Sequence, residues 1–182
     1  MMKPHMIAGL SMLVLLIDGA AAQSNQPYAG MQTRPIKALS AQQVGDLKAG
    51  RGMGLALAAE LNGYPGPMHV LELADRLGLT EQQRAEIKHM FDAMKAEAMP
   101  LGEQLIAQES ELDRLFASRS ITPDRLTAAT AAIGASQGAL RNTHLKYHLS
   151  TAAILSATQM HRYAELRGYA GGNHPPQHHR QH

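Results

Sequence analysis

Leu79-Thr80-Glu81-Gln82-Gln83 opens a long helical pattern, and the rest of the chain can be laid out from it. A threonine followed three residues later by glutamine is a capping box. The hydroxyl accepts from an orphan N–H of the first helical turn, and the Gln83 amide reaches back to the N–H of Thr80. Leu39-Ser40-Ala41-Gln42-Gln43 and Leu155-Ser156-Ala157-Thr158-Gln159 carry the same grammar. Val44 and Met160 are placed to staple back onto the leucine of their box.

Beyond Thr80 the apolar positions Ile87, Phe91, Met94, Ala98, Leu101, Leu105, Gln108, Leu112 and Leu115 alternate steps of four and three. That is a coiled-coil-like seam with no charged residue on it. Pro100 and Gly102 interrupt the pattern and predict a kink. Thr122-Pro123 then starts a second long helix to about Ile154, with the more polar seam Leu126, Thr130, Ile133, Gln137, Leu140, His144, Tyr147, Thr151 and Ile154. Its first half is smooth with alanine, serine, Gly134 and Gly138, which permits close approach of a neighbouring helix. Ser156 opens a short last helix. The reading is therefore all-α: a long kinked antiparallel hairpin with short flanking helices.

Upstream, Ser40 starts a helix whose pattern extends to Ala58 but is weakened by Gly50, Gly52 and Gly54. No strand precedes these glycines and their spacing fits no phosphate-binding loop. Asn62 to Pro67 is a dense turn signal, and a short helix from about Met68 to Leu77 ends at Gly78.

Residues 1–22 read as a secretory signal: Lys3 and His5, an apolar stretch from Met6 to Ile17, and a small-residue cleavage site at Ala20-Ala21-Ala22. Residues 23–39 are a flexible segment, 40–169 the helical domain, and 170–182 a disordered histidine-rich tail. There is no cysteine in the 182 residues, so an oxidising compartment offers no disulfide. An aromatic content of 4% without tryptophan argues for helices packed through thin seams rather than a thick core. The net charge of +2 is sign-mixed and scattered, which argues against nucleic acid as a partner.

Nothing in the sequence resembles a nucleophile arrangement, a phosphate loop or an acid–base pair, so no catalytic residue is assigned. The ten histidines point to metal. His144 and His148 lie one helical turn apart and can present imidazoles on one side, with help from His161, Glu165 or a second subunit. The motif lacks the glutamate of a metalloprotease helix. His174, His178, His179 and His182 in the tail can gather around a zinc, nickel or copper ion, since neutral imidazole is a common ligand for all three. His69 with Glu72 and His89 with Asp92 read as ordinary surface pairs.

At Leu79, Thr80 and Gln83, and again at Leu155, Ser156 and Gln159, the chain resembles the Spy/CpxP-like LTxxQ family of periplasmic stress proteins, which includes zinc-resistance and heavy-metal sensor proteins. The resemblance runs from about Pro67 to Tyr169 in the order box, long helix, turn, long helix, box. It implies a cradle-like homodimer without enzymatic activity or required cofactor. It also implies a periplasmic, ATP-independent chaperone or adaptor that binds unfolded envelope proteins or a membrane stress-signalling protein. The alternative it implies is a periplasmic metal sensor or resistance protein working through histidines. Metal-sensor relatives carry ligating histidines near the start of the mature domain, and Ser40 to Gly63 has none.

Overall fold

The computed structural model describes residues 28–169. The first 27 residues and the tail, including the signal segment and His174, His178, His179 and His182, lie outside the described residues. After a single 3-10 turn at Met31–Thr33, the helices are α1 (Ala41–Lys48), α2 (Leu57–Glu60), α3 (Pro67–Glu72), α4 (Ala74–Leu77), α5 (Glu81–Ala117), α6 (Pro123–Ile154) and α7 (Ala157–Leu166). No strand occurs among the described residues.

All three capping boxes form in full. Thr80 Oγ1 accepts from Gln83 N at 3.1 Å, and Thr80 N donates to Gln83 Oε1 at 3.0 Å. Ser40 with Gln43 and Ser156 with Gln159 repeat the exchange. Thr122 caps α6 with Pro123 in the first turn, where a missing N–H costs nothing. The boxes of α5 and α7 also meet. Gln83 Nε2 donates to Gln159 Oε1 and Gln159 Nε2 to Gln83 Oε1, both at 3.0 Å, and Gln83 Nε2 also reaches the Ile154 carbonyl at 3.0 Å. Each glutamine thus satisfies its own helix start with its oxygen and ties the two ends of the hairpin with its nitrogen.

α5 and α6, of 37 and 32 residues, form the antiparallel hairpin. At ~1.5 Å per residue they are on the order of 50 Å long. α5 continues as one helix across Pro100. Every apolar seam position predicted for it is buried or half-buried. Packing gathers into two clusters. Val70, Ala74, Leu77, Leu79, Ile87, Leu155 and Tyr163 close the base of the hairpin, where its ends meet α3, α4 and α7. Leu47, Ala98, Leu105, Ile133 and Leu140 join α1 to the middle of the hairpin. Fully burying a side chain such as Leu47, Ile87 or Val70 contributes ~1.5–3 kcal/mol.

The helix predicted to run through Gly50, Gly52 and Gly54 stops at Lys48 instead. Gly50 takes φ 63° just beyond the cap, with Arg51 N donating to the Asp46 carbonyl at 2.9 Å and Gly50 N to the Leu47 carbonyl at 3.1 Å. This six-to-one closure ends a helix through a left-handed glycine. The short helix before Thr80 is likewise divided at Leu73 into α3 and α4. Gly102 is where α1 sits down on α5: a methyl group there would lie 2.4 Å from the Leu47 carbonyl oxygen. Gly134 and Gly138 pack against nothing, since a methyl group on either would meet no atom within 4 Å. The smooth half of α6 is largely exposed, and its seam residues Leu126 and Gln137 lie on the surface.

Candidate functional site: a cleft over two buried histidines

Between the two clusters, α6 turns His144 and His148 toward the hairpin interior, because they continue the spacing that buries Ile133 and Leu140. Both are buried, at 3% and 8% exposure. Backbone from outside the hairpin lies directly on their rings. A methyl group on Gly52 would come within 3.4 Å of His144 Nδ1, and one on Gly66 within 2.8 Å of both Cε1 and Nε2 of His148. Glycine is required at 66 for that contact. Above the rings lies a cleft of about 570 Å³ walled by the 49–56 loop, α2, the start of α3, one face of α5, and Arg167 and Tyr169.

The two imidazoles differ in their bonding. His148 Nδ1 lies 2.7 Å from the Tyr64 carbonyl, which can only accept, so Nδ1 carries the proton. In the neutral ring Nε2 then keeps a free lone pair. His144 Nε2 is sealed from solvent and has no protein hydrogen-bond partner. Burial, and then the neighbouring His148, hold its imidazole below the usual histidine range. Neutral imidazole is the ligand form.

Glu60, almost fully buried on α2, links this site to α7. Its Oε1 accepts from Tyr163 Oη at 2.5 Å and Tyr169 Oη at 3.2 Å and faces Arg167 Nε at 3.5 Å. Its Oε2 accepts from Gly66 N at 3.2 Å and lies 3.7 Å from His148 Nδ1. Burial, reinforced by the Glu60 carboxylate, drives the Tyr163 phenol far above its ordinary range, so it remains a donor.

The pair predicted from sequence is therefore brought together, but its predicted helpers are not. His161 and Glu165 face each other at 3.6 Å on the exposed side of α7, away from the cleft. Glu60 takes their place beside His148. His69 pairs with Glu72 at 3.0 Å and also lines the cleft, whereas His89 is exposed and Asp92 pairs with Lys88. Among the described residues, no three His, Asp or Glu side chains stand close enough together to hold a metal ion. Leu79 and Leu155 sit in the basal cluster, and Thr80, Gln83, Ser156 and Gln159 are occupied in caps, so the motif residues lie apart from the cleft.

A model of a family described as heavy-metal resistance matches residues 7–162. The chain belongs to the heavy-metal resistance family. This family falls within the wider Spy/CpxP-like LTxxQ group, in keeping with the boxes. No curated protein and no solved structure matches the chain. For a heavy-metal resistance protein the donor set fits an ion in one respect: two imidazoles share a cleft, one with an unused buried nitrogen. Oxygen donors are less available, because Glu60 is already shared among two tyrosines, an arginine and a backbone N–H.

Sequence reasoning missed Glu60, Gly52 and Gly66. No local pattern marks them, since each matters only through a ring or hydroxyl distant in sequence.

Proposed function

We propose that this protein binds a transition-metal ion in the cleft, with His144 and His148 as the nitrogen donors, and serves heavy-metal resistance by binding rather than catalysis. The observation that carries this reading is the buried, unpartnered Nε2 of His144, one helical turn from a His148 whose hydrogen bond to Tyr64 leaves its own Nε2 free. An unpaired buried polar atom costs ~1–3 kcal/mol. A bound cation gives that nitrogen a partner. Zinc, nickel and copper are the candidate ions. The signal-like residues 1–22 support export to the periplasm, which fractionation of cells expressing the full chain would test.

Calorimetry with each metal tests the site. The full chain is compared with a variant whose four tail histidines are glutamine, and with that variant carrying His144→Gln and His148→Gln. Binding that survives loss of the tail histidines and disappears with the cleft pair is the expected result. Binding that disappears with the tail alone refutes the reading.

A second reading, of a chaperone or adaptor, draws on the hairpin tip. Phe116 and Leu126 are exposed there, next to the uncovered small residues of α6. Such a surface suits unfolded envelope proteins, a membrane stress-signalling protein or a second copy in a homodimer. Suppression of client aggregation without nucleotide, lost on Phe116→Ser, is its test.

A further inference from the structure

Resting on the metal-binding reading, we infer that the cleft is built for a soft, thiophilic cation, copper(I), with Met53, Met68 and Met94 supplying thioether sulfur beside His144 and His148. All three methionines line the same cleft as the two histidines. Met94 projects from the hairpin seam at 7% exposure and forms part of the floor. Met53 and Met68 stand at the mouth, 42% and 40% exposed. Core packing accounts for Met94 but not for two thioethers left open to solvent.

Met53 carries a further mark. Its φ is 44°, in the left-handed region, between Gly52 against the His144 ring and Gly54 at φ 80°. A non-glycine residue in that conformation costs ~1–2 kcal/mol. No burial offsets the cost at Met53, and strained backbone of this kind gathers at functional positions.

The occupancy of the donors then selects the ion. The carboxylates in the cleft are engaged: Asp46 accepts from Arg51 at 2.6 Å and from Gln42 at 2.9 Å, and Glu60 is held by Tyr163, Tyr169 and Arg167. The uncommitted donors are imidazole nitrogen and thioether sulfur. Hard cations require oxygen, and a structural zinc site requires four nitrogen, thiolate or carboxylate ligands. A cleft without cysteine, and without three close His, Asp or Glu groups, does not supply them. Thioether with imidazole is a donor set that selects copper(I).

The test is anaerobic competition for copper(I) against a chromophoric chelator, alongside zinc(II) titration, on the full chain with its tail histidines changed to glutamine. Met53→Leu, Met68→Leu and Met94→Leu nearly conserve volume, which favours retention of the fold. Together they should weaken copper(I) binding by at least about tenfold, in the range for lost metal ligands and their supports, and leave zinc(II) binding within about twofold. X-ray absorption of the copper(I) complex should show sulfur in the first coordination sphere. The exposed pair Met53→Leu and Met68→Leu provides the same test without touching the core. Unchanged copper(I) affinity in the triple variant, or a purely nitrogen and oxygen environment, overturns the inference. If His144→Gln with His148→Gln still abolishes binding in that case, the metal-binding reading survives alone. If the tail-substituted chain binds neither ion, both readings fall.

Discussion

Replacing Gln83 with alanine should be among the most damaging single changes at a half-exposed position, because one amide serves three places at once. Its oxygen satisfies the Thr80 N–H, and its nitrogen meets both the Ile154 carbonyl and the Gln159 oxygen; Gln159 donates back to it. At ~0.5–1.5 kcal/mol net for each bond, discounted for partial exposure, Gln83→Ala should cost about 2–3 kcal/mol. For a chain of this size that lowers Tm by roughly 5–10 °C. Gln159→Ala should cost slightly less, since its counterpart bond, from Nε2 to the Gly78 carbonyl, is longer at 3.4 Å than the 3.0 Å bond from Gln83 to Ile154. The informative quantity is the coupling in a double-mutant cycle, read from urea unfolding. Two reciprocal bonds join the residues, so the double variant should be less damaged than the sum of the singles by about 1–2 kcal/mol. Additive costs would show that the boxes act as separate caps and that the link between hairpin ends carries no energy.

Further outcomes follow from the same geometry. Gly102→Ala should destabilise the fold by about 1–3 kcal/mol in urea unfolding, because the added methyl meets the Leu47 carbonyl at 2.4 Å and must push α1 from α5. Gly134→Ala, facing open space in a helix interior, should instead stabilise by roughly 0.5–1 kcal/mol. Glu60→Gln removes the charge opposite Arg167 and turns an amide toward the Gly66 N–H and His148, and should cost about 1–3 kcal/mol, with Tyr163 fluorescence reporting a loosened α7. His144 is held below its ordinary 6.5 by burial. As pH falls below 6.5 the unfolded chain takes up a proton that the folded chain resists, so stability falls through that window and is unaffected by this group above it. His144→Gln should flatten that part of the stability profile.

The fold was readable where local chemistry and long-range packing agree. The boxes at Thr80 and Ser156 state their helix starts within five residues, and the α5 seam repeats often enough that Pro100 cannot hide it. The Ser40 helix misled because apolar residues such as Leu55 keep helical spacing across a loop that left-handed Gly50 and Gly54 actually shape. In α6, alanine and glycine fit a tight seam or an open surface equally well by composition, and the structure leaves Gly134 and Gly138 open.

The site was half legible. A spacing of four on one helix announces that His144 and His148 share a side, whatever covers them. What covers them is non-local: Gly66 is recognisable only once His148 lies against it, and Glu60 only once Tyr163 and Arg167 arrive from α7. Met94 was visible as a seam residue, but its place on the floor of a cleft depends on where the 49–56 loop folds back. The histidine-rich tail drew attention by composition, while the buried pair depends on position.

That metal enters the cleft can be checked by nitrogen-15 NMR of the imidazole rings in the full chain during titration with diamagnetic copper(I). The Nε2 signal of His148 and the ring signals of His144 should shift with the first copper(I) bound, ahead of the tail histidines. Shifts confined to His174, His178, His179 and His182, with His144 and His148 unmoved at saturation, would contradict it.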